Sequence, residues 1–426
     1  MMKKIKVISF LSMALLGCGT ASAQQSNAAA IERPKLVVGI VVDQMRWDYL
    51  YRYQKRYTDG GFKRLLGEGF SCENTMIPYV PSVTAIGHTC IYTGSVPSIH
   101  GIAGNNFVKD GKKVYCTDDD SVKPVGTTSV AALMSPRNLW VSTIGDEMKI
   151  ASNGRAKVVG VALKDRASIL PAGHNPNGAF WFDDQTGCFI TSSYYMDHLP
   201  KWVEAFNDKR LPEQYLSQKW NTLYPKNTYT ESTTDENEYE NGIREGVKAT
   251  LPLNLPELYK KYGYGIIRNT PFGNSLTLDM AKAAIDGEQL GADDETDLLT
   301  VSCSSTDYIG HQVGTHAIET EDTYLRLDKA IADFLAYLDS KVGKGNYLVF
   351  LSADHGAMNN AAFLQDRRIP AGSWDASATA KKLNHVLAKE YPEAGDIVKT
   401  VMNYQVFFRL SGKVLGMFFC IIVFCI

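Results

Sequence analysis

The chain has 426 residues, of which 45% are hydrophobic and 21% are charged, and its formal net charge is −2. These values describe a globular protein with enough apolar residues for a large core, and the length allows one large domain or two to three ordinary ones. A near-neutral charge balance gives no electrostatic basis for binding nucleic acid, so we exclude that class of partner.

The N-terminus is predicted to be a targeting segment and not part of the fold. Three lysines among the first six residues precede an apolar run from Val7 to Leu16, and Ala21-Ser22-Ala23 then supplies the small residues of a cleavage site. This order of basic, apolar and small residues is typical of a secretory signal peptide. We expect residues 1–23 to be removed and the protein to be periplasmic or secreted, with residues 24–34 as a linker.

A second processing site competes with this one. Leu15-Leu16-Gly17-Cys18 resembles the sequence at which a lipoprotein is cleaved, which would leave a lipid anchor on Cys18 and hold the protein at a membrane. Either route takes the chain out of the cytoplasm. None of the cysteines form a Cys-x-x-Cys pair, which disfavours a cysteine zinc site.

Four continuous apolar, β-branched runs dominate the rest of the chain. They are Leu36–Val42, Lys157–Leu163, Leu298–Cys303 and Tyr347–Ser352. Such runs are typical of strands buried on both faces of a parallel sheet. Apolar residues at positions 327, 331, 334, 335 and 338 form a helical stripe between the last two runs. Strands that alternate with helices predict an α/β fold, an α/β/α sandwich with a mostly parallel central sheet.

Each of these runs is followed by charged or metal-binding side chains. In chain order they are Asp43, then Lys164 and Arg166, then Asp307 and His311, and finally Asp354 and His355. One such pair is ordinarily a surface feature or a core hydrogen bond. Ligands of open parallel sheets bind beyond the carboxyl ends of the strands. Because all four predicted strands lead into such side chains, the pattern favours a functional site.

Thr84 precedes a predicted short helix in the segment Val80–His88. Backbone N–H groups and the dipole at a helix N-terminus favour negative charge, which would help a hydroxyl to act as a nucleophile. A threonine in this position is, by itself, more often only a helix N-cap. In a phosphate pocket, Lys164 would supply a point charge, Arg166 a bidentate clamp and Asn105 a neutral donor.

The aspartates and histidines are suitable zinc ligands. Two metal ions about 3.5–4 Å apart can hold the attacking and leaving oxygens of an in-line displacement, and such a pair needs roughly seven ligand groups. The sequence offers one fewer, namely Asp43, Thr84, Asp307, His311, Asp354 and His355.

The segment from about residue 167 to residue 262 has a different composition, with many Trp, Tyr, Asn and acidic residues and an acidic, Thr-rich loop at 228–240. We interpret it as an insertion. Two interpretations of it stay open, either a cap that contributes to the pocket wall or a surface excursion without a functional role.

Taken together, these motifs resemble the alkaline phosphatase superfamily, and closely the phosphate-irrepressible alkaline phosphatases (PafA type). The resemblance extends from about residue 35 to residue 410. The motifs that carry it are VVDQMRWDYL, PSVTAIGHTCIYTGSVPSIHGIAGN, LKDRASILPAGH, STDYIGH and SADHG.

The resemblance implies a hydrolase that acts on small phosphate monoesters through a phosphothreonine, with two zinc ions per chain. It implies that Thr84 is the nucleophile and a metal ligand. It also implies that the phosphoryl oxygens are contacted by three catalytic, substrate-binding side chains, Asn105, Lys164 and Arg166.

The same resemblance divides the metal ligands between two sites. The zinc beside the nucleophile would be bound by Asp43, Asp354 and His355, and the second zinc by Asp307 and His311. The family pattern has one further histidine downstream, and the last histidine here, His385, lies in the wrong context. We therefore expect an incomplete second site.

The domain prediction follows from the extent of the resemblance and from the missing histidine. We expect a catalytic domain over residues 35–413 that lacks its C-terminal part, followed by an aberrant hydrophobic tail over residues 414–426. That tail is too short for a transmembrane span, which takes about 20 residues.

Two alternative functions remain at this point. A phosphodiesterase or nucleotide pyrophosphatase of the same superfamily would share the threonine, the asparagine and the zinc ligands, whereas Lys164 and Arg166 suit a terminal dianionic phosphate. The other alternative is an inactive remnant that lacks one zinc ligand. Zinc content separates that remnant from a working enzyme.

Overall fold

A computed structural model describes residues 33–109 and 111–409. The predicted signal peptide, the alternative lipid anchor at Cys18 and the tail over residues 414–426 lie outside the described residues. The elements described below belong to the compact unit that begins at Pro34.

The described residues contain thirteen strands. They are β1 (Leu36–Val42), β2 (Asn106–Lys109), β3 (Lys112–Tyr115), β4 (Pro124–Val125), β5 (Val158–Ala162), β6 (Gly178–Asp183), β7 (Cys188–Ser192), β8 (Lys219–Trp220), β9 (Leu253–Asn254), β10 (Asp297–Cys303), β11 (Tyr347–Ser352), β12 (Val398–Met402) and β13 (Gln405–Phe408).

Seven of these strands form the central sheet, in the order β11-β1-β10-β5-β6-β7-β4. β1 runs parallel to β10 and β11, and β5 runs parallel to β10 and β6. Only β7 pairs antiparallel, with β6 on one side and β4 on the other. The four predicted strands are therefore confirmed, as is the mostly parallel character of the sheet.

The helices connect and cover these strands. They are α1 (Tyr49–Arg52), α2 (Phe62–Glu68), α3 (Thr84–Thr93), α4 (Pro97–His100), α5 (Ile144–Ala151), α6 (Asp165–Ala172), α7 (Lys201–Asp208), α8 (Leu211–Leu216), α9 (Leu255–Tyr262), α10 (Phe272–Glu288), α11 (Ser305–Val313), α12 (Ile318–Leu338), α13 (Ala361–Asp366) and α14 (Ala376–Glu390).

Helices cover both faces of the sheet, as an α/β/α sandwich requires. Alternate strand residues such as Ile40, Val161 and Val301 share one buried core with α10 and α12. The predicted helical stripe is buried along α12, from Leu327 to Leu338. α3, α5 and α6 lie against the opposite face. Burial on both faces explains why the central strands are continuously apolar.

The segment predicted as an insertion is mixed in structure. Residues 178–192 supply β6 and β7 to the central sheet, and their side chains are nearly all buried. Beyond them, residues 201–262 form α7, α8, α9 and the small β8–β9 pair outside that sheet.

Gly160 permits the close approach of α6 to β5. A Cβ atom at this position would lie 2.5 Å from the backbone oxygen of Ser168. Because that distance is far below van der Waals contact, only glycine fits here without moving the helix. The close approach matters because the β5–α6 connection carries Lys164.

None of the helices within residues 33–109 and 111–409 combines the length and the apolar character that crossing a bilayer would need.

Candidate active site

The strand order brings the predicted site residues together. β11, β1, β10 and β5 are adjacent and parallel, so their carboxyl ends meet at one edge of the sheet. Asp354 follows β11, Asp43 follows β1, Asp307 follows β10 on α11, and Lys164 follows β5. Because each of these residues follows the end of a strand, the four lie close together in space.

Asp43 is fully buried and is held from several sides. Its backbone oxygen accepts a hydrogen bond from Thr306 Oγ1 at 2.6 Å. The next residue, Gln44, has a left-handed φ of 66°. Gln44 N donates to Asp354 Oδ1 at 3.1 Å, and Gln44 Nε2 donates to Asp307 Oδ1 at 2.8 Å. Gln44 therefore fixes two carboxylates relative to each other.

Asp43, Asp354 and His355 form a group whose ligand atoms lie within 4.8 Å of one another. Asp43 Oδ1 and Asp354 Oδ2 are buried and make no hydrogen bond within the described part of the chain. His355 Nε2 lies 3.4 Å from the first of these oxygens and 3.7 Å from the second. Two unpartnered carboxylate oxygens and an imidazole nitrogen around one point fit a divalent metal ion.

The second ring nitrogen of His355 is already occupied. Nδ1 lies 2.8 Å from the carbonyl oxygen of Gly356. A carbonyl oxygen only accepts hydrogen bonds, so Nδ1 carries a proton, and Nε2 is the nitrogen that would give up its proton to bind a metal ion. Such a backbone contact is the usual means of orienting a metal-binding histidine.

The electrostatics of this group favour a positive charge at its centre. Burial lowers the pKa of His355, but the charges of Asp354 and Asp43 outweigh it and raise that pKa to about 10. Burial raises the pKa of Asp354, and the neighbouring imidazoles of His88 and His355 hold it well below its ordinary value.

Asp307 and His311 form the second predicted group. They are separated by one turn of α11, and His311 Nε2 lies 3.1 Å from Asp307 Oδ1. The i, i+4 spacing places both side chains on one helix face. Asp307 is buried, whereas the His311 side chain is 66% exposed.

Lys164 links the two groups. Its side chain is 1% exposed, and Nζ lies 2.6 Å from both Asp43 Oδ2 and Asp307 Oδ2. Burial lowers the pKa of Lys164, but the two carboxylates raise it above the ordinary value. The ammonium group is therefore charged at the centre of the site. It also lies 3.3 Å from Thr84 Oγ1.

Thr84 is the first residue of α3 and is buried. The N-cap position belongs to Val83, so the Thr84 hydroxyl does not cap the helix. Asn105 caps the helix instead, because its Oδ1 accepts a hydrogen bond from the backbone N–H of Ala85 at 2.9 Å. The hydroxyl thus makes no cap hydrogen bond, accepts one from Lys164 Nζ, and lies at a helix N-terminus, where the dipole favours an anion.

Arg166 lies at the start of α6. Its Nη1 donates to the hydroxyl of Tyr115 at 2.9 Å, and that hydroxyl donates to Asp165 Oδ1 at 3.0 Å. Arg166 Nε is buried and makes no hydrogen bond within the described part of the chain. Burial lowers the pKa of Arg166, and nearby Tyr115 and Asp165 raise it above the ordinary value.

The site also contains residues that sequence reasoning missed. They are Gln44, Tyr115 and His88. His88 lies on α3 and is fully buried. Its Nδ1 donates to the Thr84 carbonyl at 2.9 Å and lies 3.2 Å from Asp354 Oδ2. Gln44 and His88 fall inside the motifs VVDQMRWDYL and PSVTAIGHT, which was the available signal for both.

Comparison with known proteins gives the class of this site. A family model described as type I phosphodiesterase / nucleotide pyrophosphatase matches residues 37–404. Alkaline phosphatase PafA of Elizabethkingia meningoseptica is 57% identical over 399 residues, 92% of this chain and 72% of PafA. Alkaline phosphatase PhoV of Synechococcus elongatus is 54% identical over 382 residues, 87% of this chain and 68% of PhoV.

The solved structure of wild-type PafA has a TM-score of 0.87 to this fold, at 57% identity, covering 91% of this chain and 74% of that one. A second structure is of a PafA variant with a threonine, an asparagine, a lysine and an arginine replaced, in that chain order. The chain belongs to the alkaline phosphatase superfamily and, within it, to the PafA-type alkaline phosphatases.

Proposed function

We propose that this chain hydrolyses small phosphate monoesters through a covalent phospho-Thr84, assisted by two zinc ions. The observation that carries the proposal is the position of Thr84 Oγ1. It is a hydroxyl at the N-terminus of α3 that does not cap the helix and accepts a hydrogen bond, at 3.3 Å, from a charged lysine that contacts both acidic groups.

The donor set supports zinc as the metal. Asp43, Asp354 and His355 offer two carboxylates and one imidazole, and Asp307 with His311 offers one of each. Mixed oxygen and nitrogen donors of this kind suit zinc better than magnesium or calcium. When bound, the metal ions supply Lewis-acid stabilisation of the attacking, leaving and phosphoryl oxygens.

The proposed reaction has two displacements at phosphorus. Thr84 Oγ1, having lost its proton to solvent, forms a bond to phosphorus while the ester P–O bond breaks, and the leaving alkoxide takes a proton from solvent and departs as the alcohol. A water molecule then attacks the same phosphorus, the bond to Thr84 breaks, and inorganic phosphate departs. The helix N-terminus and Lys164 stabilise negative charge on the hydroxyl oxygen in both steps.

The phosphoryl oxygens need donors, and we propose Asn105, Lys164 and Arg166 for this role. Arg166 keeps a buried Nε without a described partner, and Asn105 uses only its oxygen in capping α3. The PafA variant replaced the same four residue types in the same chain order as Thr84, Asn105, Lys164 and Arg166. That coincidence supports the assignment.

The choice of monoesters over diesters depends on charge. Lys164 and Arg166 bring two buried or half-buried positive charges to one side of the site. A terminal phosphate is dianionic and matches them, whereas a diester carries one charge less and a second ester group that needs space. The relatives compared above are named as alkaline phosphatases, which supports the monoester proposal.

We also propose export from the cytoplasm, on the basis of the signal-peptide pattern in residues 1–23. Sequencing of the N-terminus of the mature protein tests this proposal. A mature chain that begins at Cys18 would support the lipoprotein alternative instead.

Replacement of Thr84 by alanine tests the nucleophile. We expect phosphate release from an aryl phosphate to fall by more than about 1000-fold without loss of the fold, since the covalent step is lost. Thr84→Ser keeps a hydroxyl and serves as the matched control, with a much smaller loss. Acid quenching during turnover should trap a phosphorylated peptide that contains residue 84. Unchanged turnover by Thr84→Ala would contradict the proposed nucleophile.

A further inference from the structure

The hairpin of β12 and β13 lies outside the central sheet and contacts the segment that carries Asn105. Its two-residue turn consists of Asn403 and Tyr404. Asn403 Nδ2 donates one hydrogen bond to the backbone oxygen of Asn106 at 2.9 Å and another to the backbone oxygen of Ala103 at 3.3 Å. A single side chain thus holds the backbone on both sides of Asn105.

These two contacts require an amide NH₂ group at position 403. Both partners are carbonyl oxygens, which accept hydrogen bonds and cannot donate them, and the amide nitrogen of asparagine carries two hydrogens. A carboxylate oxygen in the same place would repel both carbonyl oxygens instead of binding them. The contact therefore depends on the amide and not merely on a side chain of this size.

Gly104 permits the approach of the Asn403 side chain. A Cβ atom on Gly104 would lie 2.5 Å from Asn403 Nδ2 and 2.7 Å from the backbone oxygen of Asn106. Both distances are far below van der Waals contact, so a side chain at position 104 would displace the amide from its partners. The segment before Asn105 is thus shaped to admit Asn403.

The backbone of the turn presents the amide in a defined orientation. Asn403 and Tyr404 have φ values of 54° and 60°, and a two-residue hairpin turn of type I′ requires a positive φ at both positions. Asparagine tolerates this left-handed region, whereas a bulky residue such as tyrosine rarely adopts it. The Tyr404 ring stacks on Trp374, with the ring centroids 5.6 Å apart and 15° between the planes. This contact favours the strained turn.

Two further contacts hold the hairpin in place. Lys399, on β12, donates from Nζ to the backbone oxygen of Gly111 at 2.5 Å, in the turn between β2 and β3. On α14, Asn384 donates from Nδ2 to the backbone oxygen of Val398 at 3.0 Å and accepts from the Val398 N–H at 2.7 Å. The hairpin is therefore fixed between α14 and the segment that contains Asn105.

Asn105 connects this hairpin to the N-terminus of α3. Asn105 Oδ1 accepts from Ala85 N at 2.9 Å, and the Asn105 backbone oxygen accepts from Cys116 N at 3.0 Å. The cap of α3 thus uses the amide oxygen and leaves Nδ2 for the phosphoryl oxygen proposed above. A shift of the backbone at residues 103–106 would move that donor and the cap of the helix that begins with Thr84.

We propose that Asn403 is a positioning residue for Asn105, whose amide it holds in place for the phosphoryl group by fixing the backbone on either side. This inference rests on the proposed function, because it takes Asn105 as a donor to the phosphoryl oxygens. Asn403 acts through Asn105 across about 300 positions of the sequence. Loss of its amide should therefore weaken recognition of the phosphoryl group without removing a chemical step.

Asn403→Asp tests the proposal on the full chain. Aspartate keeps the size of the side chain and tolerates the left-handed turn, but it replaces the NH₂ donor with an oxygen that repels both carbonyls. We expect kcat/KM for an aryl phosphate to fall by about 10-fold, since a small displacement of a positioned donor is costly. The inhibition constant of inorganic phosphate should rise in parallel.

Asn384→Asp is the matched control. It makes the same chemical change within the same substructure and removes the hydrogen bond to the Val398 backbone oxygen, but it leaves the contacts of Asn403 intact. We expect wild-type kinetics and wild-type inhibition by inorganic phosphate from this variant. Zinc content per chain, from elemental analysis, should be the same in wild type, Asn403→Asp and Asn384→Asp.

A double-mutant cycle distinguishes positioning from a general structural role. In the background of Asn105→Ala, Asn403→Asp should cost less than about 2-fold more, because the group that it positions is gone. If Asn403→Asp does not fold, Asn403→Gly replaces it, since glycine keeps the left-handed turn and removes the amide.

The outcomes separate this inference from the proposed function. Wild-type kinetics in Asn403→Asp would overturn the inference, and so would a loss that is fully additive with the loss in Asn105→Ala. Undiminished turnover by Asn105→Ala alone would instead contradict the proposed role of Asn105, whatever Asn403→Asp does.

Discussion

The active site and the start of α12 both bury carboxylates, but they differ in how the charge is compensated. Asp43 and Asp307 each lie 2.6 Å from Lys164, and Asp354 lies beside His88 and His355. Glu319 and Glu240 have no such cation, and their pKa values are raised. Asp354 and Asp307, by contrast, have lowered pKa values. Burial alone therefore does not decide the charge of an acid.

The comparison shows where cations of the protein compensate buried carboxylates and where they do not. In the active site, Lys164 already serves as a fixed positive charge between two carboxylates, and the remaining unpartnered oxygens belong to Asp43 and Asp354. At α12, both oxygens of Glu319 are unpartnered. The first region therefore balances two of its buried acids with Lys164, whereas the second leaves both oxygens of Glu319 without a hydrogen-bond partner among the described residues.

Removing the active-site cations should have the largest effect. The double variant Lys164→Met, Arg166→Met would leave Asp43 and Asp307 without compensation and take two donors from the phosphoryl oxygens. We expect monoester turnover to fall by at least about 10²–10³-fold, the usual cost of losing a preorganised donor. Steady-state kinetics on matched aryl monoesters and diesters measures this.

The loss on diesters should be smaller, because a diester carries less charge for these residues to stabilise. Lys382→Met, an exposed lysine on α14, is the control and should be unaffected. Equal losses on both substrates would remove the charge argument for a preference for monoesters.

Tyr115→Phe should have an intermediate effect. The variant removes the hydroxyl that connects Asp165 to Arg166 and leaves the ring in place. We expect kcat/KM for monoesters to fall by about 10-fold, since Arg166 keeps its charge but loses its orientation.

A double-mutant cycle separates positioning from a general packing role. In the background of Arg166→Ala, Tyr115→Phe should cost little more, because Tyr115 acts through Arg166. Independent, additive losses in that background would show that Tyr115 matters for another reason.

A smaller effect is expected from pH on the metal-free protein. The pKa of His355 is about 10 in the folded state, above the ordinary value of about 6.5 in an unfolded chain. Its contribution to stability is therefore fully present below about pH 6.5 and is lost as the pH rises toward 10. Thermal unfolding of chelator-treated protein across this range should show the decline.

His355→Gln should flatten that decline, because the titrating group is gone. An unchanged slope in this variant would assign the pH dependence to other groups, Glu319 first among them. Zinc should reverse the trend in wild type, since zinc binding needs a neutral imidazole and becomes more favourable as the pH rises.

The fold was largely predictable because its central strands are extreme in composition. β1 and β11 have the predicted bounds, and β5 and β10 differ by one residue at their ends. β6 and β7 were assigned to the predicted insertion, because the segment that contains them is rich in Trp, Tyr, Asn and acidic residues. Their place in the sheet comes from pairing with β5 and with each other, which local sequence does not encode.

The same limit applies to the site. Strand-end positions were enough to nominate Asp43, Asp307 and Asp354, because parallel strands bring their ends together. The link from Gln44 to Asp354 and the link from Tyr115 to Arg166 join segments about 50 to 300 residues apart. Such pairings depend on backbone register across the whole sandwich, so a single sequence offered only the motifs that contain these residues.

The missing side chain at Gly160 has a consequence for how substrate recognition tolerates change. The separation between a strand and its covering helix is determined there by the absence of one methyl group, and the turn that displays Lys164 and Arg166 depends on that separation. A larger residue at position 160 in β5 would therefore displace Lys164 and Arg166 together. The affinity that we propose for a phosphate thus depends on backbone spacing at Gly160 as well as on Lys164 and Arg166.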